Sequence, residues 1–122
     1  MTAPAPAALL DPEAIRRLRE LDPSGAARLL ERVVGAFSNS LDRLLPDLAR
    51  ARAASPPDFA AIRHVGHTLK SSSASLGAMT LSARCAEVET LAREGSDEGL
   101  QQQLDAMLQD IQQVRAALAA LL

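Results

Sequence analysis

Residues 58–77 read DFAAIRHVGHTLKSSSASLG, and the spacing of apolar side chains in this stretch decides the fold class. With about 100° per residue around an ideal helix and His67 set at zero, Val65, Leu76, Leu69 and Ile62 fall at roughly 160°, 180°, 200° and 220°. Four apolar residues thus share one stripe, and His67 stands opposite it. Asp58 is a suitable helix cap at the start, and Gly77 a suitable stop at the end. The stretch is an amphipathic helix that turns an imidazole outward.

The pattern continues on both sides. Upstream, Ser55-Pro56-Pro57 is a boundary, and before it a long helix is predicted from about Ser24 to Ala53. Its Leu29, Val33, Phe37, Leu41, Leu44, Leu45 and Leu48 recur at steps of three and four. Pro46 lies inside that pattern, where its ring and missing N–H predict a kink or a division into two helices. Asp11-Pro12 opens a shorter helix reaching about Leu21, and Asp22-Pro23-Ser24-Gly25 ends it. The TAPAPAA segment at residues 2–8 belongs to a flexible lead-in, placed at residues 1–10. Downstream, a helix from about Met79 to Glu94 shows Leu81, Cys85, Val88 and Leu91 on one face. Gly95 stops it, and Ser96 is the predicted cap of a last helix bearing Leu100, Leu104, Met107, Leu108, Ile111, Val114, Leu118 and Leu121. No segment alternates as a strand does. The expected architecture is all-α: an up-down four-helix bundle with a short additional N-terminal helix, spanning residues 11–122.

Composition narrows the function. The 122 residues hold 48% hydrophobic side chains but only two aromatics, Phe37 and Phe59. The core must be built of Leu, Ala, Val, Ile and Met. No apolar run approaches the roughly 20 residues of a membrane helix. With no Tyr or Trp and a net charge of −2, the chain lacks both the stacking platforms and the basic surface of a nucleic-acid binder. Its single cysteine, Cys85, has no internal disulfide partner, and no secretory signal is evident, so a cytoplasmic protein is expected.

The chemistry gathers around His67. Lys70 and Ser71, three and four residues on, project beside it, while Ala60 and Ala74 lie close to the same line and leave space for another molecule. An imidazole nitrogen is a nucleophile near neutral pH, and a neighbouring ammonium can neutralise charge on a transferring phosphoryl group. Taken alone, Lys70 reads more simply as a solvated lysine. A patch of Ala60, Arg63, His64, Ser71 and Ala74 is the predicted docking surface. His64 and His67 have a spacing that can hold zinc, but further ligands are lacking and no metal is expected. Cys85 falls on a core face, and Ser71-Ser72-Ser73 lacks acid–base partners. No Gly-rich phosphate loop or Walker lysine is present.

From His67 to Glu89 the chain reads HTLKSSSASLGAMTLSARCAEVE, which resembles the signature of histidine-containing phosphotransfer domains. The matching positions are His67, Leu69, Lys70, Ser72, Leu76, Gly77, Ala78, Leu81, Cys85 and Glu89, with Val88 in a hydrophobic place. The apolar spacing upstream also fits. One position departs: Ser71 stands where the family usually has glycine, adding a hydroxyl beside the imidazole. The resemblance implies that His67 accepts a phosphoryl group, Lys70 stabilises it and Glu89 orients the ring. Arg93, a turn beyond Glu89, is a possible second cation. A reach from Glu89 sits awkwardly with a histidine opposite its own core stripe, and an exposed Glu89–Arg93 pair is the plain alternative.

The implied function is a relay in which His67 takes the group from a receiver-domain aspartyl phosphate and passes it to another receiver domain. The partners would be response regulators or a hybrid histidine kinase, with magnesium held by the receiver and no cofactor on this chain. The carrier would be a monomer and not an enzyme with its own ATP site. Two alternatives are a non-catalytic helical adaptor and a dimeric histidine-kinase-like core, whose box Thr68 and Leu69 do not match. Met1 and the bundle's length favour a free-standing carrier over a module of a hybrid kinase.

Overall fold

The computed structural model describes residues 9–122. Among them are five helices and no strand: α1 (Pro12–Glu20), α2 (Leu29–Ala53), α3 (Phe59–Ser75), α4 (Met79–Arg93) and α5 (Leu100–Ala119). Helices α2–α5 form the bundle, joined by short connections that set neighbours antiparallel, and α1 packs on α2. Among the described residues, no helix is long and apolar enough to cross a membrane.

Helix ends follow their capping chemistry. The Asp11 carboxylate accepts from the Glu13 amide at 3.0 Å, ahead of Pro12 in the first turn. Asp58 likewise accepts from the Ala61 amide at 3.1 Å. At the end of α3, Gly77 takes a left-handed φ of 77°, and the amides of Gly77 and Ala78 bond back to the carbonyls of Ala74 and Ser73. This is the double-bonded left-handed cap that satisfies orphan carbonyls. The same turn seats α1. The Asp11 amide donates to the Gly77 carbonyl at 2.8 Å, and a Cβ on Gly77 would lie 2.8 Å from that of Ala14.

Three local points are decided, and at two of them the expectation changes. The long helix begins at Leu29, not Ser24. The Asp22 carboxylate captures the amides of Ala27 and Leu29 at 3.2 and 3.1 Å, and residues 22–28 are held as turns. Second, α2 passes through Pro46 without dividing; Leu44 and Leu48 on either side are buried and hold both halves to one core. Third, Ser96 does not cap α5. Its amide bonds to the Leu91 carbonyl as part of the α4 exit, and Gly99, with φ 77°, precedes the first residue of α5. The lead-in placed at residues 1–10 falls almost wholly outside the described residues; its last residue, Leu10, is buried in the core.

The core joins all four bundle helices: Phe37, Leu41 and Leu48 from α2, Ile62 and Leu69 from α3, Leu81 and Val88 from α4, and Leu104 and Ile111 from α5 are buried. Burying a Leu or Ile side chain contributes about 1.5–3 kcal/mol, so this stripe, more than helix propensity, fixes α3 in place.

Candidate functional site

Because Ile62, Val65 and Leu69 are locked in the core, the opposite side of α3 is held toward solvent, and His67 keeps 64% of its side-chain exposure. Its ring is nevertheless anchored. His67 Nδ1 and Glu89 Oε2 are 2.6 Å apart, and Lys70 Nζ donates to Glu89 Oε1 at 2.7 Å. One carboxylate from α4 thus holds an imidazole and an ammonium from successive turns of α3.

The awkward reach from Glu89 is resolved by Gly66. The flank of α3 that carries Gly66 faces α4 so closely that a Cβ there would sit 3.1 Å from the Cys85 carbonyl and 3.3 Å from the Glu89 amide. With only a hydrogen at that point, α4 approaches beside the apolar stripe, and Glu89 extends up the flank to His67 and Lys70. Gly66 is therefore a site-building residue that the apolar pattern does not reveal; its signal is a glycine inside an otherwise regular helix with no turn to make. Ser82, buried on α4, is a second. Its hydroxyl donates to the Lys70 carbonyl at 2.9 Å, tying the helices one turn further along.

Electrostatics fixes the proton positions. The Lys70 ammonium, and after it His67, holds the Glu89 carboxyl below its ordinary value, against partial burial that pushes it up. An ionised carboxylate has only lone pairs to offer, so Nδ1 is the donor in the His67–Glu89 bond. In the neutral ring, Nε2 is then the unprotonated nitrogen, free on the exposed side.

Of the predicted docking residues, Ala60, Arg63 and His64 line a shallow depression with His67 and Glu89, about 340 Å³ in volume. Ser71 and Ala74 are exposed on α3 beyond His67 and do not line it. Arg93 is exposed, outside the depression, and bonds to Thr90 Oγ1 in its own helix at 3.3 Å; Glu89 is paired with His67 and Lys70 instead. Among the described residues, no three His, Cys, Asp or Glu side chains stand together as a metal site. Cys85 is buried, and burial, with a contribution from Asp110, pushes its thiol up to about 12. It is a packing residue under Gly66. In the serine run, Ser72 donates to the Thr68 carbonyl at 2.8 Å, as helix serines do to the preceding turn, while Ser73 is fully buried.

Comparison with known proteins agrees with this geometry. The family model of the Hpt domain matches residues 32–117. The fold is similar to that of a rice protein described as a histidine-containing phosphotransfer protein, with TM-score 0.77 and 25% identity over 92% of this chain and 79% of that one. It is also similar to histidine-containing phosphotransfer protein B (HptB) of Pseudomonas aeruginosa PAO1, with TM-score 0.71 and 26% identity over 98% and 95% of the two chains. No curated protein sequence matches significantly. A domain match over most of the chain, on a helical bundle shared with two phosphotransfer proteins, places this protein in the histidine-containing phosphotransfer (Hpt) domain family, the phosphoryl carriers of phosphorelays.

Proposed function

We propose that His67 accepts a phosphoryl group from the aspartyl phosphate of one receiver domain and delivers it to the aspartate of another. The observation that carries this reading is an exposed imidazole whose Nδ1 is tied to a buried carboxylate at 2.6 Å. That bond directs the lone pair of Nε2 outward. In the transfer, this pair forms the N–P bond while the aspartyl O–P bond breaks and its electrons return to the receiver's carboxylate. The ring keeps its Nδ1 proton, becomes a phosphorylated imidazolium, and gains a positive charge next to Glu89. Delivery runs the same exchange in reverse, with the N–P electrons returning to Nε2.

Lys70 balances the Glu89 charge, so that an incoming phosphoryl group does not meet a bare carboxylate, and its ammonium retains donors for a phosphoryl oxygen. Arg63 and His64 supply the rim on which the receiver docks. Magnesium belongs, on this reading, to the receiver, and the carrier works as a monomer that holds no ATP.

The test is incubation with a phosphorylated receiver domain and detection of an acid-labile, base-stable label on this chain. His67→Gln abolishes the label and His64→Gln retains it. The reverse result would overturn the assignment of the acceptor.

A further inference from the structure

We infer that Arg63 holds the phosphoryl group once it is on His67, and so forms the other half of a charge clamp whose first half is Lys70. The inference rests on the carrier reading above and extends it to a residue that was expected only to meet a partner.

Direction comes first. A helical side chain leans toward the N-terminus of its helix and covers the preceding turn. The His67 ring accordingly shares its depression with Ala60, Arg63 and His64 of that turn, and not with Lys70 or Ser71 of the next. Since Nδ1 is held by Glu89, Nε2 is the nitrogen left to carry a group, on a ring that lines this depression. Arg63, four residues before His67, is one turn away on the same face.

Charge comes second. Glu89 and Lys70 are a bonded pair at 2.7 Å and sum to zero. Arg93 lies outside the depression. Among the described residues, Arg63 makes no ion pair and no side-chain hydrogen bond, and it is exposed. It is the uncommitted cation beside the free nitrogen. A phosphoryl group brings nearly two negative charges to that point. A guanidinium offers a planar fork of donors that matches two of its oxygens, which an ammonium does not. Ala60, one turn earlier, leaves room for the fork to turn inward.

The inference predicts a change in the acidity of the bound phosphoryl group itself. The protein is phosphorylated with phosphoramidate, whose phosphorus is attacked by the imidazole as ammonia leaves, and the product is titrated by 31P NMR. Arg63→Ala raises the midpoint of the phosphoryl titration by about half a unit, the size of an exposed charge pair. Arg63→Lys recovers part of that shift. The imidazole 15N signals of the unphosphorylated variants stay as in the parent, because the His67–Glu89 bond is untouched. An unchanged midpoint in Arg63→Ala overturns the inference while leaving the carrier reading standing. Absence of a 31P signal on Nε2 of His67 in the parent protein overturns both.

Discussion

Two of the polar seams in the bundle are built on opposite plans. Between α2 and α5, which come close at few points, long arginines bridge the gap. Arg52 donates to Gln101 and Asp105, each at 2.8 Å, and Arg115 donates to Asp42 and the Ser38 carbonyl. The acids of that seam, Asp105 and Asp42, are mostly exposed. Between α3 and α4 the backbones approach until only the hydrogen of Gly66 fits, and one largely buried acid holds both an imidazole and an ammonium. An exposed pair in water is worth little, about 0–1 kcal/mol. A buried carboxylate bonded to an imidazole decides which ring nitrogen carries the proton. Pairing with a carboxylate therefore produces adhesion in the wide seam and an oriented imidazole in the narrow one.

The largest effect is expected from forcing the narrow seam open. Gly66→Val places branched carbons against the Cys85 carbonyl and the Glu89 backbone, neither of which is the flexible end of a side chain. Overpacking of this kind costs about 1–3 kcal/mol, to be read from chemical denaturation. Withdrawal of Glu89 would also release the ring, so labelling of His67 by a phosphorylated receiver should slow by about tenfold, equivalent to about 1.4 kcal/mol in the barrier. Stability and labelling both at the parent level would show that the close approach is not needed.

Next in size is Glu89→Gln, which keeps the shape and removes the charge. Lys70 is left without its counter-ion, and the amide can accept or donate, so the tautomer of His67 is no longer imposed. Imidazole 15N spectra should show mixed tautomers in place of a dominant Nδ1–H form, and transfer should slow several-fold. Retention of the single tautomer would remove the orienting role of Glu89.

A pH titration sharpens the same point with a smaller effect. The folded-state Glu89 carboxyl is lowered, first by Lys70. Its contribution to stability is thus fully present above the ordinary carboxylate range and is lost as pH falls through the lowered value. The parent should lose stability more steeply on acidification below about pH 4 than Glu89→Gln does. In Lys70→Ala, the 13C carboxyl titration of Glu89 should move up toward the ordinary value. Identical acid profiles for parent and Glu89→Gln would mean that the bond contributes nothing to folding.

How much of this was legible in the sequence depended on whether a residue acts along its own helix or across a gap. Azimuth follows from residue spacing, so the outward His67, the buried Leu69 and the Asp11 and Asp58 caps were all readable. The start of α2 was not, because Asp22 reaches five and seven residues ahead to hold amides that the apolar pattern assigns to a helix. Ser96 lost its capping place to a glycine for a similar reason: the exit of α4 takes its amide first. Within the site, Glu89 was named by resemblance, yet its geometry conflicted with the helical wheel. A wheel describes direction and is silent about how near a neighbouring helix comes. That distance was set by Gly66, whose importance lies in the side chain it lacks.

The smallest effect belongs to the wide seam and is the control for the rest. Arg52→Ala removes its bonds to Gln101 and Asp105, but the aliphatic stem of an arginine also covers apolar surface, so the loss is not confined to charge. About 0.5–1 kcal/mol of stability is expected to go, and added salt should shrink the difference because the Asp105 partner is exposed. Labelling of His67 should not change, since Leu48 and the other core residues stand between the two seams and keep α3 in register. A transfer defect in Arg52→Ala with parent-like stability would mean that the wide seam sets the position of α3 as well, and the division between an adhesive seam and a directing one would fail.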